Sequence, residues 1–137
     1  MPTVNAFVEP KSDWDLAKCQ DRFSVHRERG TLRVALSDGA TDACLSDIWA
    51  DLLVQASTCA LPLLNAWGCK AWLPRLHGLA AQWRSRAEAR LAPPLSWLAS
   101  KALARGSYAS LLQLEVSGRR WRARAVGDSC LLLIRRK

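Results

Sequence analysis

Asp38 and Gly39 stand where an apolar run, Leu32-Arg33-Val34-Ala35-Leu36, gives way to a helix-like stretch. Asp-Gly is ordinary turn chemistry. A carboxylate aimed at a partner, with a glycine letting the backbone come close, is the sharper reading. The other reactive side chains have less support. Ser129 follows Gly127-Asp128, but no His or Lys base is placed beside it to make it a nucleophile. His26 and His77 have no metal-ligand partner at useful spacing. The cysteines, Cys19, Cys44, Cys59, Cys69 and Cys130, are odd in number and show no CxxC pair, so they are expected to be buried, reduced and structural.

Whether Asp38 has a partner depends on the strands around it. Residues 21–26 alternate, with Phe23 and Val25 on one face, and residues 31–36 alternate with Leu32, Val34 and Leu36. Arg29-Gly30 is the turn between them, so the two runs predict a hairpin. In an antiparallel pair, the start of the first strand and the end of the second lie at the same end. Asp21 and Asp38 therefore meet at one edge of the sheet, which makes Asp38 more than a turn residue.

Helical spacing covers residues 42–57, with Leu45, Ile48, Trp49, Leu52, Leu53 and Ala56 as one stripe and Asp47, Asp51 and Gln55 opposite. Thr41 or Ser46 is the expected cap. A second helix is predicted over 73–91, with Pro74 in its first turn, an apolar stripe from Leu76 to Leu91, and Pro93-Pro94 to break it. A short third helix, 95–104, ends at Gly106. Strands are expected at 3–8, 108–116, 121–126 and 130–135, and a loop at 10–18. Strands, then helices, then strands predict an α+β fold, with the helices on one face of an antiparallel sheet.

The 137 residues suit a single domain, 1–137, and half of them are hydrophobic. A domain of this size buries about 68–70% of its unfolded surface. No apolar run reaches the ~20 residues of a membrane span, and the N-terminus lacks the pattern of a secretory signal. The expected location is cytoplasmic, with no membrane partner. The net charge of +8 invites a nucleic-acid reading. The arginines, however, are spread over Arg84 and Arg86, over 119–124 and over 135–137, and the tryptophans fall mostly at apolar helical positions suited to core packing. A basic nucleic-acid-binding domain is thus the weaker alternative.

Four motifs in order carry a family resemblance: Gln20-Asp21 at a strand start, Asp38-Gly39-Ala40-Thr41 before a helix containing Trp49-Ala50, Gly106-Ser107-Tyr108-Ala109-Ser110-Leu111, and Gly127-Asp128-Ser129. The chain resembles the N-terminal half of bacterial 2C-type (PPM) metal-dependent protein serine/threonine phosphatases. The resemblance implies a partial β-sandwich flanked by helices, and hydrolysis of phosphoserine and phosphothreonine at a site with two Mg²⁺ or Mn²⁺ ions. It implies Asp38 as the bridging metal ligand, the Gly39 carbonyl as a second ligand, and Asp21 in or just outside the coordination shell. Asp42 would be an outer neighbour, and Asp128 a turn cap or a support for the site.

Gln20 stands where the family usually has Glu, and the family's later metal-binding aspartates have no counterpart in this sequence. The expectation is a truncated phosphatase, weakly metal-binding and weakly active or inactive alone. The alternative is a non-catalytic pseudo-phosphatase that engages a phosphoprotein or kinase. Residues 131–134 are apolar on both faces, as in a strand covered on two sides. The chain is therefore expected to form a homodimer, take a complementing chain, or aggregate through its last sheet.

Overall fold

The computed structural model describes residues 3–8, 19–59 and 72–134. Four strands, β1 (Arg22–Glu28), β2 (Thr31–Ser37), β3 (Leu111–Ser117) and β4 (Arg120–Val126), form one antiparallel sheet in the order β1-β2-β3-β4. Between β2 and β3 run α1 (Ser46–Thr58), α2 (Trp72–Leu91) and α3 (Trp97–Arg105). The fold is α+β, and the sheet is open rather than closed.

The alternation that marks β1 and β2 is realised in register, with Arg22 opposite Ser37 and Glu28 opposite Thr31. Arg29 and Gly30 take positive φ at the turn. β2 then pairs with β3, from Thr31 opposite Ser117 to Leu36 opposite Leu112. A pairing of residues 76 to 86 apart in sequence thus forms the centre of the sheet.

α1 lies across β1, β2 and β3; α2 packs behind α1, and α3 on α2. The core joins Ala35 and Leu111 of the sheet to Ile48, Leu52, Leu53 and Val54 of α1, Leu79, Trp83 and Ala87 of α2, and Leu103 of α3. Side chains of Leu or Val size contribute about 1.5–3 kcal/mol each on full burial. Trp83 adds a polar tie: its indole N–H donates to the Leu45 carbonyl at 3.2 Å, where α1 begins.

Several expectations need correction. α1 starts at Ser46, and residues 41–45 form turns; neither Thr41 nor Ser46 caps it. Leu45 occupies the cap position in a left-handed conformation without a side-chain bond, and the Ser46 hydroxyl is buried with no partner. The entry is set by tertiary packing against the Trp83 side, not by a local cap. α3 behaves as its sequence suggests: Ser96 accepts from the Ala99 N–H, and Gly106 at φ 81 ends it.

Residues 3–8 and 130–134 form no strand. Leu132 and Ile134 are largely exposed, because no neighbouring strand pairs with them among the described residues. The expected strand at 108–116 begins only at Leu111, with Ala109 in an isolated bridge to Gly39. The expected burial of the cysteines also fails: Cys59 and Cys130 are exposed, and Cys19 and Cys44 are half-buried, all four free. Trp97 lies on the surface, with Lys101 4.9 Å from its ring centre, so it is not a core residue. The expected loop at 10–18 and Cys69 lie outside the described residues.

Candidate functional site at the carboxylate end of the sheet

Asp21 precedes the first rung of the β1–β2 ladder and Asp38 follows it, so the register brings both to one end of the sheet. They line a single cleft of about 380 Å³ together with Ser37 and Ser129. Asp38 is exposed and Asp21 half-buried. A second cleft is lined by Gly39, Thr41, Tyr108, Ser110 and Asp128. Asp38 lines both. Asp42 sits exposed in the following turn and lines neither.

Gly39 has a packing reason. A Cβ there would lie 2.8 Å from Ser46 Oγ and 3.0 Å from both Cβ and the carbonyl oxygen of Gln20. The backbone passes too close to Gln20 and the start of α1 for any side chain. The Gly39–Ala109 bridge is bonded through its neighbours, Ser110 N–H to the Asp38 carbonyl at 2.9 Å and Ala40 N–H to the Tyr108 carbonyl at 3.1 Å. The Gly39 carbonyl is not used by this bridge.

Ser110 is the hub that sequence reasoning did not single out. Its hydroxyl accepts from the Asp38 backbone N–H at 3.2 Å and shares a 2.6 Å hydrogen bond with Ser129 Oγ. Its carbonyl accepts from the Ser37 hydroxyl at 2.6 Å. Gly127, at φ 93, presses on the same residue: a Cβ would come within 2.8 Å of Ser110 Cβ. The Asp38-Gly39, Ala109-Ser110 and Gly127-Asp128-Ser129 stretches are therefore docked on one another. The available signal was a hydroxyl directly before a buried strand.

Arg22 is the second residue missed. It turns its guanidinium back along the chain and donates to the carbonyls of Cys19 at 2.7 Å and Asp21 at 2.8 Å. Its other nitrogen lies 3.3 Å from Asp47 of α1, which also takes Arg90 of α2 at 2.7 Å. The backbone that carries Asp21 is thus fastened to the helical layer. Arg22 spends its charge on Asp47, on the helix side of the sheet.

Among the described residues, no group of three or more His, Cys, Asp and Glu side chains could hold a metal ion. His26 instead lies 3.7 Å from Glu28. The donor set does not fit a two-metal centre. Two carboxylates on neighbouring strand ends do suit one hard cation that keeps most of its water, as Mg²⁺ does. The basic stretch 119–124 is partly committed: Arg122 pairs with Glu115 at 3.1 Å. The arginines of 135–137 lie outside the described residues. No described helix is long and apolar enough to cross a membrane.

A scan of protein-family models finds no match to this chain, and neither a curated protein nor a solved structure matches it.

Proposed function

We propose that the chain is a 2C-type-phosphatase-like domain that works as a binding module. It takes one hydrated Mg²⁺ or Mn²⁺ weakly between Asp21 and Asp38, with the Gly39 carbonyl beside them. By itself it hydrolyses phosphoserine and phosphothreonine esters weakly or not at all. Its cytoplasmic role is to engage a phosphoprotein or kinase partner through the carboxylate end.

One observation carries this reading. The Asp38-Gly39 and Gly127-Asp128-Ser129 stretches, which resemble phosphatase motifs, are far apart in sequence, yet Ser110 of a third such stretch ties them together at one end of the sheet. A bound cation would supply positive charge that attracts a phosphate. The chain's own residues supply the rest: Asp21 and Asp38 hold the ion, Ser110 fixes the backbone of Asp38, and Arg22 holds the Asp21 segment. Only two carboxylates share the charge, so no hydrolytic step is assigned.

Calorimetric titration tests this. Mn²⁺ should bind no tighter than high micromolar, and Asp38→Asn should abolish the binding by removing the central charge. Gln20→Glu should strengthen it, because a further carboxylate beside Gly39 adds Coulomb attraction to a dication. Tight binding that survives Asp38→Asn sinks the site assignment.

A further inference from the structure

Helix α3 has one face that packing does not explain. Its inner side carries Leu103, which is buried, with Ala99 and Ala102 half-buried. At 3.6 residues per turn, Trp97, Leu98, Lys101 and Arg105 fall on the opposite side. Trp97 is 72% exposed and Leu98 71%, and Lys101 and Arg105 are exposed beside them. Tyr108, itself 63% exposed, follows the helix, and its hydroxyl donates to the Arg105 carbonyl at 3.3 Å. That bond holds the phenol at the C-terminal end of α3. Aromatic, cation, cation, aromatic thus succeed one another as Trp97, Lys101, Arg105 and Tyr108. The helix of nine residues makes the row ~13 Å long or more.

No acid offsets this row from within its own stretch of chain: residues 89–114 contain neither Asp nor Glu. Lys101 lies 4.9 Å from the Trp97 ring centre, a cation–π contact that leaves its charge without a carboxylate. Arg105 enters no ion pair among the described residues. The charges of α2, on which α3 packs, are spent elsewhere: Arg84 pairs with Glu88, Arg86 with Asp51 and Arg90 with Asp47. Asp38 and Asp128 share a cleft with Tyr108 and give the row one acidic end. Outside the described residues, 60–71 and 135–137 hold basic residues and no acid, while 9–18 sets Glu9, Asp13 and Asp15 against Lys11 and Lys18. The balance of the whole chain is +8.

Such a row suits a chain of negative charges that also offers flat rings. We infer that it binds single-stranded nucleic acid. Lys101 and Arg105 meet phosphates, and Trp97 and Tyr108 stack on unpaired bases. In a duplex the bases stack on one another, so a duplex meets the cations alone. A lipid surface favours apolar side chains gathered together with cations on a separate polar face, and here both cations stand between the aromatics. An acidic peptide answers the cations and leaves the rings without a partner. The strand stops at Tyr108, where Asp38 and Asp128 repel phosphate. The carrier is not the arginine stretch 119–124, in which Arg122 is committed to Glu115. The inference is independent of the cation site and needs no bound metal.

Fluorescence anisotropy on the full chain tests this, with dye-labelled oligo(dT) and oligo(rU) of ~12 nucleotides, a length within the ~4–16 of known single-strand sites. The two sugars separate a DNA from an RNA ligand, and binding of either strand supports the inference. Trp97→Ala should weaken the single strand about fivefold or more and leave the affinity for a duplex of the same length unchanged. Trp97→Phe keeps a stacking ring and should retain most of the binding. Lys101→Gln/Arg105→Gln should lower the slope of log affinity against log salt by ~1.4, for two phosphate contacts at ~0.7 each. All three positions are exposed, so the circular dichroism spectrum should not change. Failure of both strands to bind at low salt overturns the inference. So does full affinity in Trp97→Ala, an equal loss for strand and duplex, or a Phe variant no better than the Ala variant. Tighter binding to polyglutamate or to phosphatidylserine vesicles than to either strand overturns it as well.

Discussion

The helix-covered face and the opposite face of the sheet divide polar and apolar side chains against the usual expectation. Under α1 lie Ser24, Arg33, Ser37, Gln113 and Glu115, together with Ala35 and Leu111. Most of their polar atoms are paired, although Gln113 Oε1 and Arg33 Nη1 are buried without a hydrogen bond. Ser24 shares a 2.7 Å hydrogen bond with Thr58, Gln113 donates to Ser57, and Glu115 takes both Arg33 and Arg122 at 3.1 Å. The apolar strand residues face the other way, outside the core cluster. A buried polar group is tolerated where it finds a partner, so the α1 interface survives its polarity. On the apolar face Leu32 and Leu112 are buried all the same, while Phe23, Val25, Leu36 and Trp121 stay partly exposed. The contrast teaches that the helical layer buries polar groups it can pair, while the apolar face is covered unevenly along its strands.

The largest break in this comparison comes from truncating the helix side. Leu52→Ala removes a buried α1 side chain from the core and should cost about 2–5 kcal/mol. Val25→Ala, at a side chain 37% exposed on the opposite face, should cost less, about 1 kcal/mol. Urea unfolding followed by circular dichroism measures both. Equal losses would mean that Val25 is packed as tightly as the helix side.

Much of this architecture was legible in the sequence. Strict alternation around Arg29-Gly30 specified β1 and β2, and the ladder placed Asp21 and Asp38 at one end. The i, i+3, i+4 stripes specified the helices, and Pro93-Pro94 with Gly106 bounded the last of them. The remainder was hidden for physical reasons. The run Leu131-Leu132-Leu133-Ile134 carries no period, so hydrophobicity alone could not tell a strand from an unpaired segment. The side of the sheet beneath α1 was not readable either. Gln113 and Glu115 look like solvent-facing positions until Ser57, Arg33 and Arg122 arrive as partners. At the site, the carboxylates were visible through β-strand geometry. Ser110 and Arg22 were not, because both act through backbone groups that only tertiary approach brings near.

A smaller effect separates the two kinds of glycine at the sheet ends. Gly127→Ala meets Ser110 Cβ at 2.8 Å and keeps a φ of 93, so steric overlap adds to backbone strain; the expected loss is about 2–4 kcal/mol. Gly118→Ala, at φ 56 in open space, bears the left-handed penalty alone, about 1–2 kcal/mol. The same unfolding experiment compares them. Should Gly118→Ala prove the more damaging, the close docking of the Gly-Asp-Ser loop on Ser110 is wrong.

The smallest expected effect is chemical and reports on the same contrast between packed and open regions. Cys44 packs against the core just before α1, and burial pushes its thiol pKa up. Cys130 lies exposed beyond β4. The thiolate is the reactive form, so a raised pKa leaves less of it at a given pH, and burial also restricts access. Alkylation by iodoacetamide at mildly alkaline pH, followed residue by residue by mass spectrometry, should label Cys130 several-fold faster than Cys44. The sign for stability follows from the same shift. The fold favours the neutral Cys44 thiol, so its contribution is complete at neutral pH. That contribution declines as the pH rises through the unfolded and then the folded pKa, on the alkaline side. Equal labelling rates in the native protein, with Cys44 slowed no more than it is in urea, would place Cys44 outside the packed layer and remove the asymmetry at this position.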